Sequence, residues 1–548
     1  MKSLVQISSE TAKQLRVADV TDALPTLDMT RLPTKVRKVL LAQQTALEVE
    51  REARATLQDL NAELAAENVR LEYLVKEFHQ ALYGKRSEKL DPDQLDLLFE
   101  DLETAIAETE ARKEARKPRP SAAPSRRNIG RLPKELPRIE HVIEPASTQC
   151  PCGCGEMVKI GEDRTERLDI SPALFRVIAT VRPKYACRTC EQGVVQAPAP
   201  AHIVEGGLPT EALISHVLVA KYADHMPLYR QAQAFARVGV DLDRSTLAGW
   251  VGKASFHLAP LVDRLAERLK QSTQLFMDET RAPVLDPGRG HTKTGYLWAL
   301  ARDERGWSGA DPPGVVFFYA DGRGGAHAER FLTGFSGILQ VDAYTGYERL
   351  AHADRPGGPL VLAYCWAHAR RRLKEIFDAS GSPIAAEGLK RIAELYAIEK
   401  DIRGWSPAAR LAARKERSAP LVAAFGAWLK DKRARISAKS RLGEKLSYIA
   451  NQWSGLQVFL TDGRIEMDSN PVENRIRPIT LGRKNFLFAG HDVGGCNWAR
   501  IASLVETCKI NDVNPFAYFK ATLEAIAAGH PQNRLDELLP GPFASASS

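Results

Sequence analysis

Two stretches decide how this chain is read: TQLFMDET at 273–280 and GILQVDAY at 337–344. Each is an apolar, β-rich run of strand length that stops at an acid, Asp278 in the first and Asp342 in the second. Between and after them lie YLWALARD (296–303), GVVFFYAD (314–321) and PLVLAYC (359–365), separated by turn-forming DPGRG (286–290) and DPPG (311–314). Helical stretches such as HAERFLTGF (327–335) and WAHARRRLKEIF (366–377) interrupt the strands, so the spacing predicts an α/β layer with helices on a mixed sheet. Downstream, SNPVENRIRPI (469–479) opens with a capping residue and a proline in the first turn, a strong helix start, and carries Glu473 in that turn.

Strand ends of α/β sheets are where sites are usually built. An acid at an apolar strand end is costly to bury without a metal or a cation beside it. Asp278, Asp342 and Glu473 are therefore singled out as a carboxylate set for divalent ions. The competing reading is structural: strand-end aspartates bond loop backbones, and a first-turn glutamate complements the helix dipole. Glu279, Asp321, Glu466 and Asp468 compete for the same role, and spacing alone does not rank them.

Working outward, 380–460 reads as a helical insertion between the strands and the Glu473 helix. Upstream, PLYRQAQAFARVGVDLDRSTLAGWV (227–251) has the outline of a helix-turn-helix, with a turn at Gly239 and a second helix starting after Asp243 or Ser245. Five of the eight cysteines fall in CPCGCG (150–155) and CRTC (187–190), with strand-like ERLDI and LFRVIATVRPKY between them. Cys187 and Cys190 form a C-x2-C knuckle, and two of Cys150, Cys152 and Cys154 complete a tetrahedral zinc site. Cys152 and Cys154 are preferred, with Cys150 as the alternative ligand; the other reading is a pair of reduced thiol clusters. Such a zinc ion is structural, because metal binding lets a small unit with few core residues fold. Cys365-x2-His368 is only half a metal site and reads as a buried thiol beside a satisfied histidine.

Residues 112–138 hold ten Lys/Arg against two acids, with five prolines, which predicts a basic extended linker. Leu57, Leu60, Leu64, Leu71, Leu74 and Phe78 keep a heptad frame that Glu67 interrupts, the pattern of a short coiled coil or of a helical hairpin within one chain. The expected division is a tail (1–35), a coiled-coil or helical region (36–110), the basic linker (111–149) and a zinc unit (150–200). A helical DNA-binding segment (201–270), a core in two parts (271–379 and 461–495) flanking the insertion (380–460), and a C-terminal helical region (496–548) complete it. The net charge of +8 is modest, but its clustering points to nucleic acid. Clusters flank the proposed site: Arg370, Arg371 and Arg372 in one helix, Arg475 and Arg477 beside Glu473, and Arg483 and Lys484 in the loop beyond. No run reaches the ~18 apolar residues of a membrane helix, and the first residues lack the pattern of a secretory signal, so a cytoplasmic location is expected.

MDET, QVDAYTGY, CWAHARRR, DSNPVENRIRP and LGRKNFLFAG closely resemble the transposases of insertion-sequence family sixty-six. So do VRPKYACRTC with VVQAPAP, and GKRSEKLDPDQ at 84–94, so the resemblance spans about 36–530. It implies a DDE core of ribonuclease-H-like fold, with Asp278, Asp342 and Glu473 as the catalytic acids, 64 and 131 residues apart. It also implies two Mg²⁺ or Mn²⁺ ions, double-stranded DNA (transposon ends and target) as partner, strand cleavage followed by strand transfer, and other proteins of the same element as helpers; the heptad frame adds a homo-oligomer. Two departures stand out: Cys150, Cys152 and Cys154 replace a simple first C-x2-C, and His491 stands where a small residue is expected. A relative that only binds DNA, and a nuclease that hydrolyses without strand transfer, are the alternatives.

Overall fold

A computed structural model of the chain describes residues 92–116 and most of 132–543. Positions 133, 135, 151, 152, 154, 172–173, 190–193, 286–291 and 487 lie outside that description. The chain divides into two compact units, 1–77 and 78–548. In the first only Glu50, Arg51, Arg54 and Gln58 are described, all helical and exposed, so the leucines of the heptad frame lie outside the described residues.

The second unit begins with α1 (Pro92–Arg116), β1 (Arg138–Val142), β2 (Val158–Ser171), β3 (Leu174–Ala186), β4 (Val194–Gln196), α2 (Glu211–Tyr222), α3 (Leu228–Ala236) and α4 (Arg244–Lys270). The core strands and helices are β5 (Gln274–Val284), β6 (Lys293–Arg302), β7 (Gly314–Ala320), α5 (Gly325–Phe331), β8 (Ile338–Val341), β9 (Val361–Tyr364) and α6 (Trp366–Ser380). Then come α7 (Pro383–Asp401), α8 (Pro407–Ala413), α9 (Ala419–Arg435), α10 (Arg441–Asn451), α11 (Trp453–Gln457), α12 (Asn470–Phe486), α13 (Asp492–Ile510) and α14 (Pro515–Ala527).

The larger sheet has five strands in the order β7-β6-β5-β8-β9. The first three strands pair antiparallel, and β8 and β9 join parallel to β5. β5, β7, β8 and β9 therefore all point the same way, and their C-terminal ends lie toward one edge. Leu297 to Arg302 of β6 are all buried, as expected of a strand covered on both faces. The outer edge of β7 is not left open: Ser503 Oγ of α13 accepts from Phe317 N at 2.8 Å, and Thr507 Oγ meets both Val315 N and Val315 O.

The insertion is helical, as its composition predicts, and has its own core built from Trp366, Ile392, Phe425, Trp428, Leu446, Ile449 and Phe459. Buried charge ties it to the segment before α12. Arg414 grips Glu399 through two nitrogens (2.7 and 2.8 Å) and donates to Phe459 O and Asp462 O, while Arg410 bridges Glu399 and Glu466.

Four expectations change. Asp278 is not a strand end: β5 runs on to Val284, paired with β6 far beyond the short stretch, Gln274–Phe276, that β8 covers. The basic linker is not extended throughout, since α1 reaches Arg116 and β1 pairs parallel with β3. The second helix of the proposed helix-turn-helix, α4, is a core helix that buries Leu247, Trp250, Leu258, Leu265 and Leu269 along its length. That face is committed to packing, so groove contact is left to the N-terminal residues of α4, of which Ser245 is exposed. Finally, Arg483 and Lys484 sit in the last turn of α12 rather than in a loop, because the helix continues through Pro478 with Ile476 and Ile479 packed into the core on either side.

α1 is held against α4 by backbone contact at Gly252, where an added Cβ would lie 1.9 Å from Thr104 O and 2.8 Å from Ala107 Cβ. Gly252→Val is expected to destabilise the chain by about 1–3 kcal/mol, seen as a lower melting temperature; an unchanged midpoint would mean that the two helices are free to part.

Candidate functional site

The acids are brought together by register. Parallel pairing sets Phe276 of β5 opposite Gln340 of β8. Two residues further on, Asp278 within β5 and Asp342 just past the end of β8 fall on the same face, close enough for the charge of Asp342 to act on Asp278. Glu473 returns from far along the chain because the segment before α12 is pinned to β8 and β9. Gln340 donates through Nε2 to Glu466 O at 2.7 Å and accepts from Glu466 N at 2.8 Å. Trp366 N donates to Met467 O, and Cys365 Sγ accepts from Ser469 N at 3.2 Å.

One oxygen of each acid is oriented locally. Asp278 Oδ1 accepts from Glu279 N (2.8 Å), Asp342 Oδ1 from Tyr344 N (2.9 Å) and Glu473 Oε1 from Ser469 Oγ (3.1 Å). Burial raises the Asp278 carboxyl well above the ordinary range, and the like charges of Asp342, Glu279 and Glu473 push it further. A buried carboxyl crowded by like charge is the setting that a hard divalent cation relieves, and an all-oxygen set suits Mg²⁺ or Mn²⁺.

The competing acids are otherwise engaged. Glu279 is held by Arg323 Nε and Tyr347 Oη, each at 2.5 Å. Asp321 is exposed beside His327. Glu466 pairs with Arg410, and Asp468 accepts from Asn470 N and Tyr396 Oη.

His368 is a residue that sequence reasoning undervalued. Its Nδ1 lies 3.7 Å from Glu473 Oε1, buried and without a hydrogen-bond partner among the described residues. Cys365, His368 and Glu473 bring ligand atoms within 4.8 Å of one another, so the half-site gains its third member from α12. The histidine is therefore not satisfied as expected. Burial lowers the His368 pKa, and it pushes the Cys365 thiol up to about 11. The signal for this cluster was the C-x2-H spacing at the start of α6, but its third member lies more than 100 residues away.

The basic residues divide by role. Arg371 approaches Glu473 at 3.3 Å, Arg372 lies over the Tyr448 ring, and Arg370 is exposed. Arg475 is half-buried on α12, and Arg477 and Lys484 are exposed there. Arg483 instead donates to Arg281 O on β5, a structural bond. Arg323, absent from the sequence reading, reaches within 3.9 Å of Asp342. His491 is buried and caps α13, its Nδ1 accepting from Gly494 N at 3.2 Å, which accounts for a large side chain at that position.

In the cysteine unit, Cys150 and Cys187 are buried together with Met157, and the loop closes through Cys150 N to Gly155 O. Cys152, Cys154 and Cys190 lie outside the described residues. Among the described residues no helix is long and apolar enough to cross a membrane.

Comparison with known families accounts for most of the chain. Residues 206–497 match the family model described as "Transposase IS66 family", which places the chain among the transposases. Flanking matches are to a "zinc-finger binding domain of transposase IS66" at 147–191, an "IS66 C-terminal element" at 503–540 and "Transposase C of IS166 homeodomain" at 70–140. The chain belongs to the IS66 transposase family. It is 44% identical over 509 residues to the uncharacterized protein y4jD of Sinorhizobium fredii (strain NBRC 101917 / NGR234), covering 91% of this chain and 97% of that relative. It is similar also to y4qI of the same organism, 44% identical over 481 residues (86% and 88% covered), and to y4hP, 37% identical over 498 residues (88% and 90%).

The raised pKa of Asp278 has a stability consequence. The folded carboxyl keeps its proton at pH values where the unfolded chain, with an ordinary carboxyl near 4, has lost it, so the folded state binds more protons and stability falls as pH rises above about 4. With divalent ions chelated, Asp278→Asn is expected to remove this dependence, at most about 1.4 kcal/mol per pH unit. Thermal melts from pH 4 to 8 that fall equally for both proteins would contradict it.

Proposed function

We propose that the chain is a DDE transposase that cleaves DNA at transposon ends and transfers the freed strand into target DNA. The observation that carries this is the β5/β8 register, which sets Asp278 beside Asp342, with the charge of Glu473 felt at Asp278. The strand order, three antiparallel strands followed by two parallel ones, supports a ribonuclease-H-like core.

Asp278, Asp342 and Glu473 would hold two Mg²⁺ or Mn²⁺ ions. Bound there, such ions supply an activated water or 3′-hydroxyl and stabilise the departing oxygen of a phosphodiester. The protein's own part is to present the oxygens in fixed positions: Glu279 N, Tyr344 N and Ser469 Oγ each fix one oxygen of an acid, and Arg371 holds the second oxygen of Glu473. Arg370, Arg371, Arg372, Arg475, Arg477 and Lys484 would grip phosphates on either side of the scissile bond. The zinc-finger match supports a structural Zn²⁺, with Cys187 and Cys190 as one pair and two of Cys150, Cys152 and Cys154 as the other. The burial of Cys150 beside Cys187 favours Cys150 as one of that second pair. Double-stranded DNA is the partner, with self-association and other element-encoded proteins completing the working complex in the cytoplasm.

Asp342→Asn and Glu473→Gln should each lower Mg²⁺-dependent cleavage of a duplex carrying the element's end at least ~100-fold while DNA binding survives. Cutting at the unaltered rate would remove the assignment, and joined rather than merely hydrolysed products separate strand transfer from simple nuclease action. Cys187→Ser should release the bound zinc, read by metal analysis of the purified chain; unchanged zinc content would exclude Cys187 as a ligand.

A further inference from the structure

Arg323 lies in the turn between β7 and α5, at the edge of the sheet where β5, β7, β8 and β9 all end. Its backbone and side chain are both held. Tyr344 Oη donates to Arg323 O at 3.0 Å, and the guanidinium stacks over the Tyr344 ring at 3.8 Å. Tyr344 is itself tied to the acid site, since its N–H donates to Asp342 Oδ1. The residue between them, Ala343, is held in the left-handed region at φ 69°, a strained conformation that persists because both neighbours are fixed.

Glu279 supplies the other clamp. Its side chain is 1% exposed, and both oxygens are committed, one to Arg323 Nε and one to the hydroxyl of the buried Tyr347. That uses one of the five N–H donors of the guanidinium. Among the described residues the Nη groups make no hydrogen bond; Nη2 lies 3.9 Å from Asp342 Oδ2. The side chain as a whole is 42% exposed. A counter-ion present only to neutralise Glu279 would have no need of an exposed edge beside a second acid. An arginine fork fixed at its Nε and open at its Nη edge has the geometry that grips a phosphate through two parallel bonds.

Resting on the transposase reading above, we propose that Arg323 is a phosphate-binding residue of the acid site, pre-set by Glu279 and Tyr344 to hold the DNA backbone next to Asp278 and Asp342. Glu279, adjacent to a catalytic acid yet unavailable to metal, thereby acquires a role as a positioning residue.

The test is binding of the full chain to a 40-base-pair duplex carrying the element's end, measured without divalent ions across a range of KCl, with melting temperature recorded in parallel. Arg323→Ala should weaken binding roughly 10-fold and lower the slope of log affinity against log salt by about one, the signature of one lost phosphate contact. Its melting temperature should fall somewhat, because the buried Glu279 loses its counter-ion, so the salt slope carries the test. Arg323→Lys should keep the slope but lose Mg²⁺-dependent cleavage, because a point charge cannot reproduce the fork. An unaltered affinity and slope for Arg323→Ala would overturn the proposal, as would a weaker affinity with an unaltered slope. If the wild-type chain binds the duplex but cuts nothing in any divalent ion, the catalytic reading fails, and the salt slope still decides the role of Arg323.

Discussion

The side-chain amide of Gln340, 1% exposed, is the point to which the acid site is referred. Its carbonyl accepts from Gln274 of β5 and from Glu466 N, and its NH₂ group donates to Glu466 O. One buried amide thus links the strand that carries Asp278, the strand that leads to Asp342 and the segment that leads to Glu473. A buried amide of this kind is costly unless every atom is met, so its partners are tightly specified. The register it locks matters as much. A slip of one residue between β5 and β8 would turn Asp342 to the opposite face of the sheet and separate the pair.

Around that amide, the cations of the site fall into two kinds. Arg410 and Arg414 are buried and serve the scaffold, binding Glu399, Glu466 and backbone carbonyls. Arg323 and Arg371 stand beside Asp342 and Glu473, each with one edge toward solvent. The acids are thus crowded by like charge from within and partly offset from outside. That arrangement leaves them poorly satisfied without a cation, as sites built for transition-state charge commonly are.

Much of this was legible in the residues. Apolar β-rich runs found the five strands, a capped proline start found α12, and the two strand-associated aspartates were visible because acids are rare in such runs. What was hidden is contact between distant segments. Asp278 read as a strand end because TRAPV is not apolar, yet pairing with β6 carries the strand through it. The helix-turn-helix pattern at 227–251 has an apolar period that a core helix shares, and only the packing of α1 on α4 distinguishes the two. Cys365-x2-His368 lacked a third partner until α12 brought Glu473 to it. Arg323 carried no signal of its own, since an arginine in a glycine-rich turn is ordinary until Tyr344 and Glu279 close on it.

The buried pairing of Arg414 with Glu399 bears on the order in which the protein matures. Removing one member of such a pair strands an uncompensated charge, and Arg410, which bridges Glu399 and Glu466, extends that demand from the inserted helices to the stretch preceding α12. A polypeptide emerging from the ribosome carries the two aspartates before the glutamate is made, at a stage when neither Glu466 nor α13 is yet in place against the sheet. On the transposase reading, premature termination anywhere ahead of α12 yields a fragment that lacks Glu473 and is unable to assemble the full trio.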